Sequence, residues 1–108
     1  MLEAIFGNAT AEKVLLHLVV HDESYARELA RTFHLPVSVI QKQLIRLERG
    51  GILASRLVGK TRVFQLDPSY PFVRELEALL RRALDFLPET EREPYQPKRK
   101  RPRTVGKP

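Results

Sequence analysis

Residues 25–66 read YARELARTFHLPVSVIQKQLIRLERGGILASRLVGKTRVFQL and carry the clearest structural pattern of the chain. In the first part of this stretch, apolar residues recur every three or four positions from Ala26 to Phe33, the spacing of one face of a short helix. Pro36 ends this pattern, because proline cannot donate a backbone hydrogen bond, and it suits the first turn of a following helix. The pattern predicts two helices joined by a tight turn.

The second of these helices is predicted over residues 37–49. It buries Ile40, Leu44 and Leu47 on one face. It ends at Gly50-Gly51, since glycine readily adopts the left-handed conformation that terminates many helices. Two short helices with so brief a connection are typical of a helix-turn-helix.

A β-hairpin is predicted directly after the second helix. Its strands cover 52–57 and 62–66 and flank a tip at 58–61, in which Gly59 supplies the positive φ that a tight turn needs. A helix-turn-helix followed by such a hairpin is a winged helix-turn-helix. The predicted fold class is therefore mainly α with a small β-hairpin (α+β).

A further helix is predicted on each side of this stretch. Asn8 is the expected N-cap of the upstream helix, and Tyr25 is expected to lie in a short extended segment that pairs with the hairpin. The downstream helix is predicted over 72–87. Five of the eight prolines and few apolar residues lie in 88–108, which predicts a disordered basic tail after one domain at 1–87.

The chain is basic overall, but its charge is unevenly distributed. Of the 19 Lys and Arg residues, 6 lie between residues 98 and 107, where there is no acid; 19 less 6 leaves 13 bases against 13 acids. Within residues 38–66 the only acid is Glu48, among six bases. Neutralisation of phosphates is the electrostatic basis of nucleic-acid binding, so this segment predicts contact with DNA.

The predicted second helix is expected to read DNA with the face opposite its buried row. Its N-terminal part lies deepest in the major groove of a helix-turn-helix complex, and the predicted base contacts there are Ser38, Val39, Gln41 and Lys42. The predicted contacts to the DNA backbone, on the later helix and the hairpin, are Arg46, Arg49, Arg56, Lys60, Thr61 and Arg62. The alternative is an ordinary solvated helix face, although such faces usually mix both signs of charge.

Three segments carry a resemblance to a known family. They are ARELAR at 26–31, LIRLERGGIL at 44–53, and the pattern G-x-x-R-x-F-x-L from Gly59 to Leu66. In this order they resemble the winged helix-turn-helix of ArsR-like transcriptional regulators. The branch most similar accompanies, or is fused to, minimal nucleotidyltransferases in bacteria and archaea. The resemblance covers about residues 5–87.

The resemblance implies a dimeric DNA-binding regulator whose helix at 37–49 enters the major groove. It also implies a nucleotidyltransferase as a possible partner protein, with the catalytic carboxylates on that other chain. The sequence departs from the family at three points. It lacks the cysteine ligands of metal-sensing members, it has Pro36-Val37 where a Ser or Thr cap is usual, and Ile45 stands at a usually polar position.

The last predicted helix is apolar on more than one face, which a small monomer would struggle to cover. We therefore expect it to pack with the N-terminal helix of a second copy about a two-fold axis. The predicted dimer interface comprises Leu2, Ile5, Phe6, Phe72, Leu76, Leu79, Leu80, Ala83 and Leu87. The alternative is that this helix simply closes its own domain.

Composition and motifs argue against several other classes of function. The chain has no cysteine, which excludes disulfides and thiolate metal ligands. His17 and His21 lie one helical turn apart, a spacing common by chance, so no metal site and no cofactor are predicted. There is no glycine-rich phosphate loop and no nucleophile–base pair, and the chain is not expected to be an enzyme.

The remaining expectations concern location and partners. The N-terminus lacks the pattern of a signal peptide and the longest apolar run, at 14–20, is too short to span a bilayer, so a cytoplasmic protein is expected. The main hypothesis is a sequence-specific regulator of double-stranded DNA. The rival is a protein-interaction adaptor or antitoxin-like partner with the same fold. RNA binding ranks lower, because no aromatic stacking surface is apparent.

Overall fold

The helices and strands of the computed structural model, which describes residues 1–96, follow the predicted order. They are α1 (Glu3–Phe6), α2 (Ala9–His21), β1 (Ser24–Tyr25), α3 (Ala26–Phe33), α4 (Val37–Arg49), β2 (Leu53–Val58), β3 (Thr61–Leu66) and α5 (Val73–Leu84). Two short 3-10 turns, Glu89–Glu91 and Glu93–Tyr95, complete this part of the chain.

The central helix α2 begins where the sequence predicts. The Asn8 side chain accepts a hydrogen bond from the Ala11 amide at 2.7 Å and so caps the helix. Val14, Leu15 and Leu18 are fully buried, and α2 packs against both α4 and α5. The core of the domain is therefore built around α2.

The turn between α3 and α4 is short because His34 adopts the left-handed conformation, with φ of 57°. Pro36 is extended and stands at the N-cap of α4, which leaves its missing amide without consequence. At the other end, the Ile52 amide donates to the Leu47 carbonyl at 3.0 Å across Gly51, whose φ is +81°. The predicted bounds of this helix are confirmed.

The strands form a three-stranded antiparallel sheet in the order β1-β3-β2. Tyr25 pairs with Val63, so the predicted pairing of the Tyr25 segment with the hairpin is confirmed. The hairpin closes one residue tighter on each side than predicted, since Val58 pairs with Thr61. Gly59 has φ of +63° and Lys60 does not have positive φ, which matches a two-residue type II′ turn.

Helix α5 ends three residues earlier than predicted and lies against α2. Its side chains fill the domain's own core, and this corrects five of the nine predicted dimer contacts. The five have exposed fractions of 0–9%: Leu2, Leu76, Leu80, Ala83 and Leu87. These side chains cannot contact a second subunit, because they are already packed in the core of their own protomer. The alternative, that α5 closes its own domain, holds for this face.

The segment at 88–96 is ordered, which corrects the prediction of a disordered tail from residue 88. Tyr95 is buried, with an exposed fraction of 9%, and its ring lies 5.7 Å from that of Phe33. The Arg92 Nε donates to the Leu87 carbonyl at 2.9 Å. The domain therefore extends at least to residue 96, and the rest of the predicted tail, 97–108, lies outside the described residues. No helix within residues 1–96 is long and apolar enough to cross a membrane.

Candidate nucleic-acid interface

Helix α4 presents one continuous surface away from the core, which we call the outer face: Ser38, Gln41, Lys42, Ile45 and Arg49. All five side chains are exposed, and they line a shallow open depression together with Arg46. The row Ile40, Leu44 and Leu47 on the other side is buried. The predicted segregation of the two helix faces is therefore present, and Val39 lies at the edge with an exposed fraction of 37%.

The bases at the centre of the outer face have no side-chain partner among residues 1–96. No side chain among residues 1–96 forms a hydrogen bond or an ion pair with Lys42 or Arg49, and the same is true of Lys60 at the hairpin tip. An exposed charge without an internal partner keeps its full attraction for an external anion. These three bases are therefore available to phosphate groups.

Arg46 differs from these bases, because it is bonded within the domain. Its Nη2 donates to the Phe6 carbonyl at 2.6 Å, and its Nε donates to Gln43 Oε1 at 3.0 Å. The same Gln43 oxygen accepts from Asn8 Nδ2 at 3.0 Å. Arg46 thus ties α4 to the junction of α1 and α2. Its predicted role at a DNA phosphate stays a prediction, and the structure places it at the edge of the outer face.

The hairpin is joined to α4 through Ser55. The Ser55 hydroxyl donates to the Glu48 carboxylate at 2.6 Å and accepts from Arg62 Nη1 at 2.9 Å. Glu48, the one acid of α4, is therefore bonded to the hairpin. Arg62 pairs with Leu57 across the strands, on the hairpin side that also carries buried Leu53.

Arg56 lies on the opposite side of the same hairpin, paired with Val63. Its Nη2 forms an ion pair with Glu23 at 2.8 Å, and its Nη1 contacts Gln65 Oε1 at 3.3 Å. Thr61, paired with Val58, lies on this same side. Of the predicted hairpin contacts, Arg62 lies on the side joined to α4 and Lys60 lies at the tip, whereas Arg56 and Thr61 lie on the other side.

The sequence reasoning missed three features near this surface. Ser55 received no role, since its two partners lie on other elements. Arg27 and Arg31 are exposed on α3, and Arg31 Nη2 contacts the Tyr25 hydroxyl at 3.2 Å. Their spacing of four residues on a helix was a visible signal. Leu57 and Val58 are both exposed and give the hairpin an apolar end. The expected alternation of buried and exposed residues along a strand did not predict this.

A second exposed surface, the apolar stripe, follows α5: Phe72, Leu79 and Phe86, with exposed fractions of 61%, 37% and 64%. Leu79 lies on the exposed side of α5, and Phe72 and Phe86 flank the two ends of this helix. Phe72 and Leu79 belong to the predicted dimer set, whereas Phe86 was missed. Ile5, also predicted, is 64% exposed on α1, and Phe6 is partly buried against the core.

The histidines do not assemble a metal site. The rings of His17 and His21 lie 4.4 Å apart, and His21 Nε2 lies 3.2 Å from the Pro94 carbonyl oxygen. Within residues 1–96, no group of three or more His, Cys, Asp or Glu side chains is arranged to hold a metal ion. His17 is buried in the core beside Phe33, which accounts for its place in an apolar run.

No protein-family model matches the chain, and no curated protein matches it. Solved structures do share its architecture. YusO from Bacillus subtilis is 23% identical, with a TM-score of 0.58 over 82% of this chain and 69% of that one. The adhesin competence repressor AdcR from Streptococcus pyogenes is 19% identical, with a TM-score of 0.56 over 79% and 67% of the two chains.

A mutant of ZitR from Lactococcus lactis is similar in the same way, with 15% identity and a TM-score of 0.55 over 80% of this chain and 66% of that one. At such identities the comparison establishes the fold. The described residues form five helices and a three-stranded antiparallel sheet whose last two strands make a hairpin. The predicted winged-helix class of mainly α fold is confirmed.

Proposed function

We propose that this protein is a sequence-specific transcriptional regulator of double-stranded DNA in the cytoplasm. Helix α4 enters the major groove, and the hairpin tip contacts the flanking backbone or the minor groove. The observation that carries the proposal is the outer face of α4. Its bases Lys42 and Arg49 have no internal partner among residues 1–96, while the carboxylate of Glu48, the one acid of the helix, is bonded to Ser55 of the hairpin.

Base recognition is assigned to the first half of α4. Ser38 and Gln41 offer hydrogen bonds to base edges, Lys42 reaches guanine, and Val39 suits the methyl group of thymine. Each of the four side chains is exposed. Because Ile45 continues this surface and is 47% exposed, an apolar contact to thymine is also available one turn further along the helix.

Backbone contacts are assigned to the end of α4 and to the hairpin. Arg49 belongs to the outer face, and the Ser55 hydroxyl holds Arg62 on the hairpin side that is joined to α4. Lys60 and Thr61, at the end of the hairpin, are assigned contacts to the flanking DNA backbone. Arg56 must leave its ion pair with Glu23 before it can contact a phosphate, so we assign it a minor part. Arg46 is likewise assigned mainly to holding α4 against α1.

A homodimer forms part of the proposal. A second copy would cover the apolar stripe on α5, together with Ile5 on α1. These positions carry large exposed apolar side chains, and a two-fold axis places the same surface on both subunits. Two α4 helices would then meet successive major grooves about 34 Å apart. We further propose that the protein is a member of the ArsR-like branch and that a nucleotidyltransferase is its partner protein.

Selection of bound fragments from genomic DNA, followed by sequencing, tests the function and yields the binding site together. The variant Lys42→Ala with Arg49→Ala should lose this binding by at least about 100-fold, since two phosphate or base contacts disappear. Arg74→Ala is the matched control, because Arg74 is exposed on α5. The proposal would be contradicted if the selected fragments shared no sequence and the unaltered protein and the double variant bound them equally.

A protein-interaction adaptor or antitoxin-like partner is the second function to test. The exposed Ile45 at the centre of the outer face favours it, because protein interfaces are depleted of charge at their core. In that case Ile45→Lys would abolish capture of the partner, while Lys42→Ala with Arg49→Ala would leave it unchanged. If a nucleotidyltransferase is encoded beside this protein, it is the partner to test first.

A further inference from the structure

A cavity of about 310 Å³ is enclosed by α1, α2 and the segment at 86–95. Its apolar lining consists of Leu16, Phe86 and Leu87. Leu16 and Leu87 are buried in the core, whereas Phe86 is exposed at the rim. Pockets that bind small molecules begin at about this size and combine apolar walls with a few polar groups. The cavity therefore has room for a small organic ligand.

The charged lining of this cavity is mainly acidic. Its acids are Glu3, Glu12 and Glu91, and its one side-chain base is Lys13. The Lys13 Nζ lies 6.0 Å from the centre of the Phe33 ring, and Phe33 does not line the cavity. Glu12 has an exposed fraction of 7%. Because water screens a buried charge poorly, this carboxylate attracts a cation more strongly than a surface carboxylate does.

The Glu12 carboxylate already lies beside an ammonium group in the structure. The α-ammonium of Met1 is 3.6 Å from Glu12 Oε1, and it also bonds the Glu3 carboxylate. Met1 is exposed, so a dissolved cation can compete with it for Glu12. The contact indicates which chemical group this carboxylate accepts, namely a primary ammonium.

The Tyr95 hydroxyl supplies a second polar group for a ligand. Tyr95 lines the cavity and has an exposed fraction of only 9%. No group among residues 1–96 forms a hydrogen bond with this hydroxyl, although buried phenols usually have a partner. Burial, followed by the charges of Glu12 and Glu91, raises the pKa of Tyr95. The hydroxyl therefore stays neutral and can accept a hydrogen bond from a cationic donor.

We propose that this cavity binds a small organic cation, in which a primary ammonium group is carried on an apolar or aromatic body. The ammonium group lies between Glu12 and Glu91 and donates a hydrogen bond to the Tyr95 hydroxyl. The body packs on the apolar lining. The acids repel an anion, and among residues 1–96 no group of side chains is arranged to hold a metal ion instead.

The cavity is connected to α4 through α1. Glu3, at the start of α1, lines the cavity, and the Phe6 carbonyl at the end of α1 accepts a hydrogen bond from Arg46. A ligand that replaces the Met1 ammonium at Glu12 removes a contact between the N-terminus and α2, so it also loosens the attachment of α1. If the proposed function holds, on which this step rests, the ligand should lower the affinity of α4 for DNA.

Three probes that share a phenethyl body test the requirement for positive charge. They are phenethylammonium, the neutral phenethyl alcohol and the anionic hydrocinnamate. We expect phenethylammonium to bind the full chain with a Kd of about 0.1 to 1 mM, as is usual for a ligand of this size. The other two should bind at least about tenfold more weakly, because they lack the charge-assisted bonds. Calorimetry measures the three affinities, and equal binding of the probes would overturn the proposal.

Conservative substitutions test the position of the site. Glu12→Gln removes the buried charge with little change in shape and should weaken phenethylammonium binding about tenfold or more. Tyr95→Phe removes the hydroxyl but keeps the ring that packs on Phe33, and should weaken binding several-fold. Glu89→Gln is the matched control, because Glu89 is an exposed acid of the same segment that does not line the cavity. It should bind as the unaltered chain does.

Glu91→Gln keeps the test decisive if Glu12→Gln fails to fold. Glu91 is exposed, so its substitution should leave the fold intact and weaken phenethylammonium binding about threefold. The proposal would be rejected if both Glu91→Gln and Tyr95→Phe bound the cation as tightly as the unaltered chain. It would equally be rejected if calorimetry detected no binding of phenethylammonium to the unaltered chain.

The effect on DNA is measured separately, with the protein saturated by phenethylammonium and with phenethyl alcohol at matched salt as the comparison. DNA affinity should fall at least about threefold, and the fall should disappear in Arg46→Ala, where α4 is no longer bonded to Phe6. Unchanged or raised DNA affinity in the saturated protein would overturn the link to α4. A chain that binds phenethylammonium but no DNA would reject the proposed function and support the cavity as a cation site.

Discussion

The Ser55 hydroxyl lies 2.6 Å from the Glu48 carboxylate, and this bond links the hairpin to the helix proposed to enter the major groove. It gives the one negative charge of α4 a hydrogen-bond donor within the domain. The same hydroxyl accepts from Arg62 at 2.9 Å. A single small side chain therefore bonds both the one acid of α4 and a base of the hairpin.

Replacement of Ser55 should weaken both stability and DNA binding. In Ser55→Ala, Glu48 and Arg62 each lose a hydrogen-bond partner, which costs about 1 kcal/mol in the free energy of unfolding. DNA affinity should fall several-fold more than stability explains, because Arg62 is no longer held and the Glu48 charge is released. Denaturant unfolding and a DNA titration measure the two effects. Ser69→Ala, at an exposed position in the connector before α5, should change neither.

Arg46 and Arg49 should separate stability from DNA binding, although both are exposed bases on α4. Arg46→Ala removes the bonds to the Phe6 carbonyl and to Gln43, so we expect a loss of about 1 kcal/mol in unfolding free energy. Arg49→Ala should leave unfolding unchanged and reduce the salt slope of DNA binding by about 1. Equal effects of the two variants on unfolding would show that the Arg46 bonds contribute nothing.

The two arginines of the hairpin should also differ, because they project from opposite sides of it. Arg62→Ala should weaken DNA binding about tenfold or more, as expected for a backbone contact with an oriented guanidinium. Arg56→Ala removes a surface ion pair with Glu23, which typically contributes less than about 1 kcal/mol to stability, and should weaken DNA binding much less. Fluorescence titrations at matched salt decide the order, and a larger effect of Arg56→Ala would reverse our assignment.

Charge in the apolar stripe should dissociate the proposed dimer. Leu79→Glu places a carboxylate between Phe72 and Phe86, where a second copy would have to desolvate it. Sedimentation at micromolar concentration should then show the monomer mass, against a dimer for the unaltered chain. Ala78→Glu introduces the same charge on a different side of α5 and should remain dimeric. A monomer in the unaltered chain would end the dimer hypothesis.

The sequence was most informative where local signals mark the ends of an element. The bounds of α4 follow from Pro36 on one side and Gly50-Gly51 on the other, because those residues restrict the backbone whatever surrounds them. The hairpin was placed within one residue at each strand end. The opposite orientation of Arg56 and Arg62 also follows from strand pairing around the tip, since alternate residues point to opposite faces.

The remaining features depend on contacts between residues distant in sequence. The ion pair of Arg56 joins it to Glu23, 33 residues away, and Ser55 gains its role only once the hairpin folds back on α4. Tyr95 lies in a proline-rich segment with no periodic pattern of apolar residues around it, so the composition of the segment did not predict its packing on Phe33. Helix α5 carries apolar residues over a wide arc, and only the structure shows which edge, the apolar stripe, is left exposed.

Helix α1 connects two surfaces that the sequence treats as separate. Its Ile5 side chain belongs to the proposed subunit contact, while the carbonyl of the next residue, Phe6, holds Arg46 of α4. The proposed subunit contact and the proposed groove-reading helix are therefore both connected to a four-residue element. By thermodynamic linkage, any DNA site that prefers one position of α1 must alter the subunit dissociation constant by the same factor by which subunit pairing alters the affinity for that site.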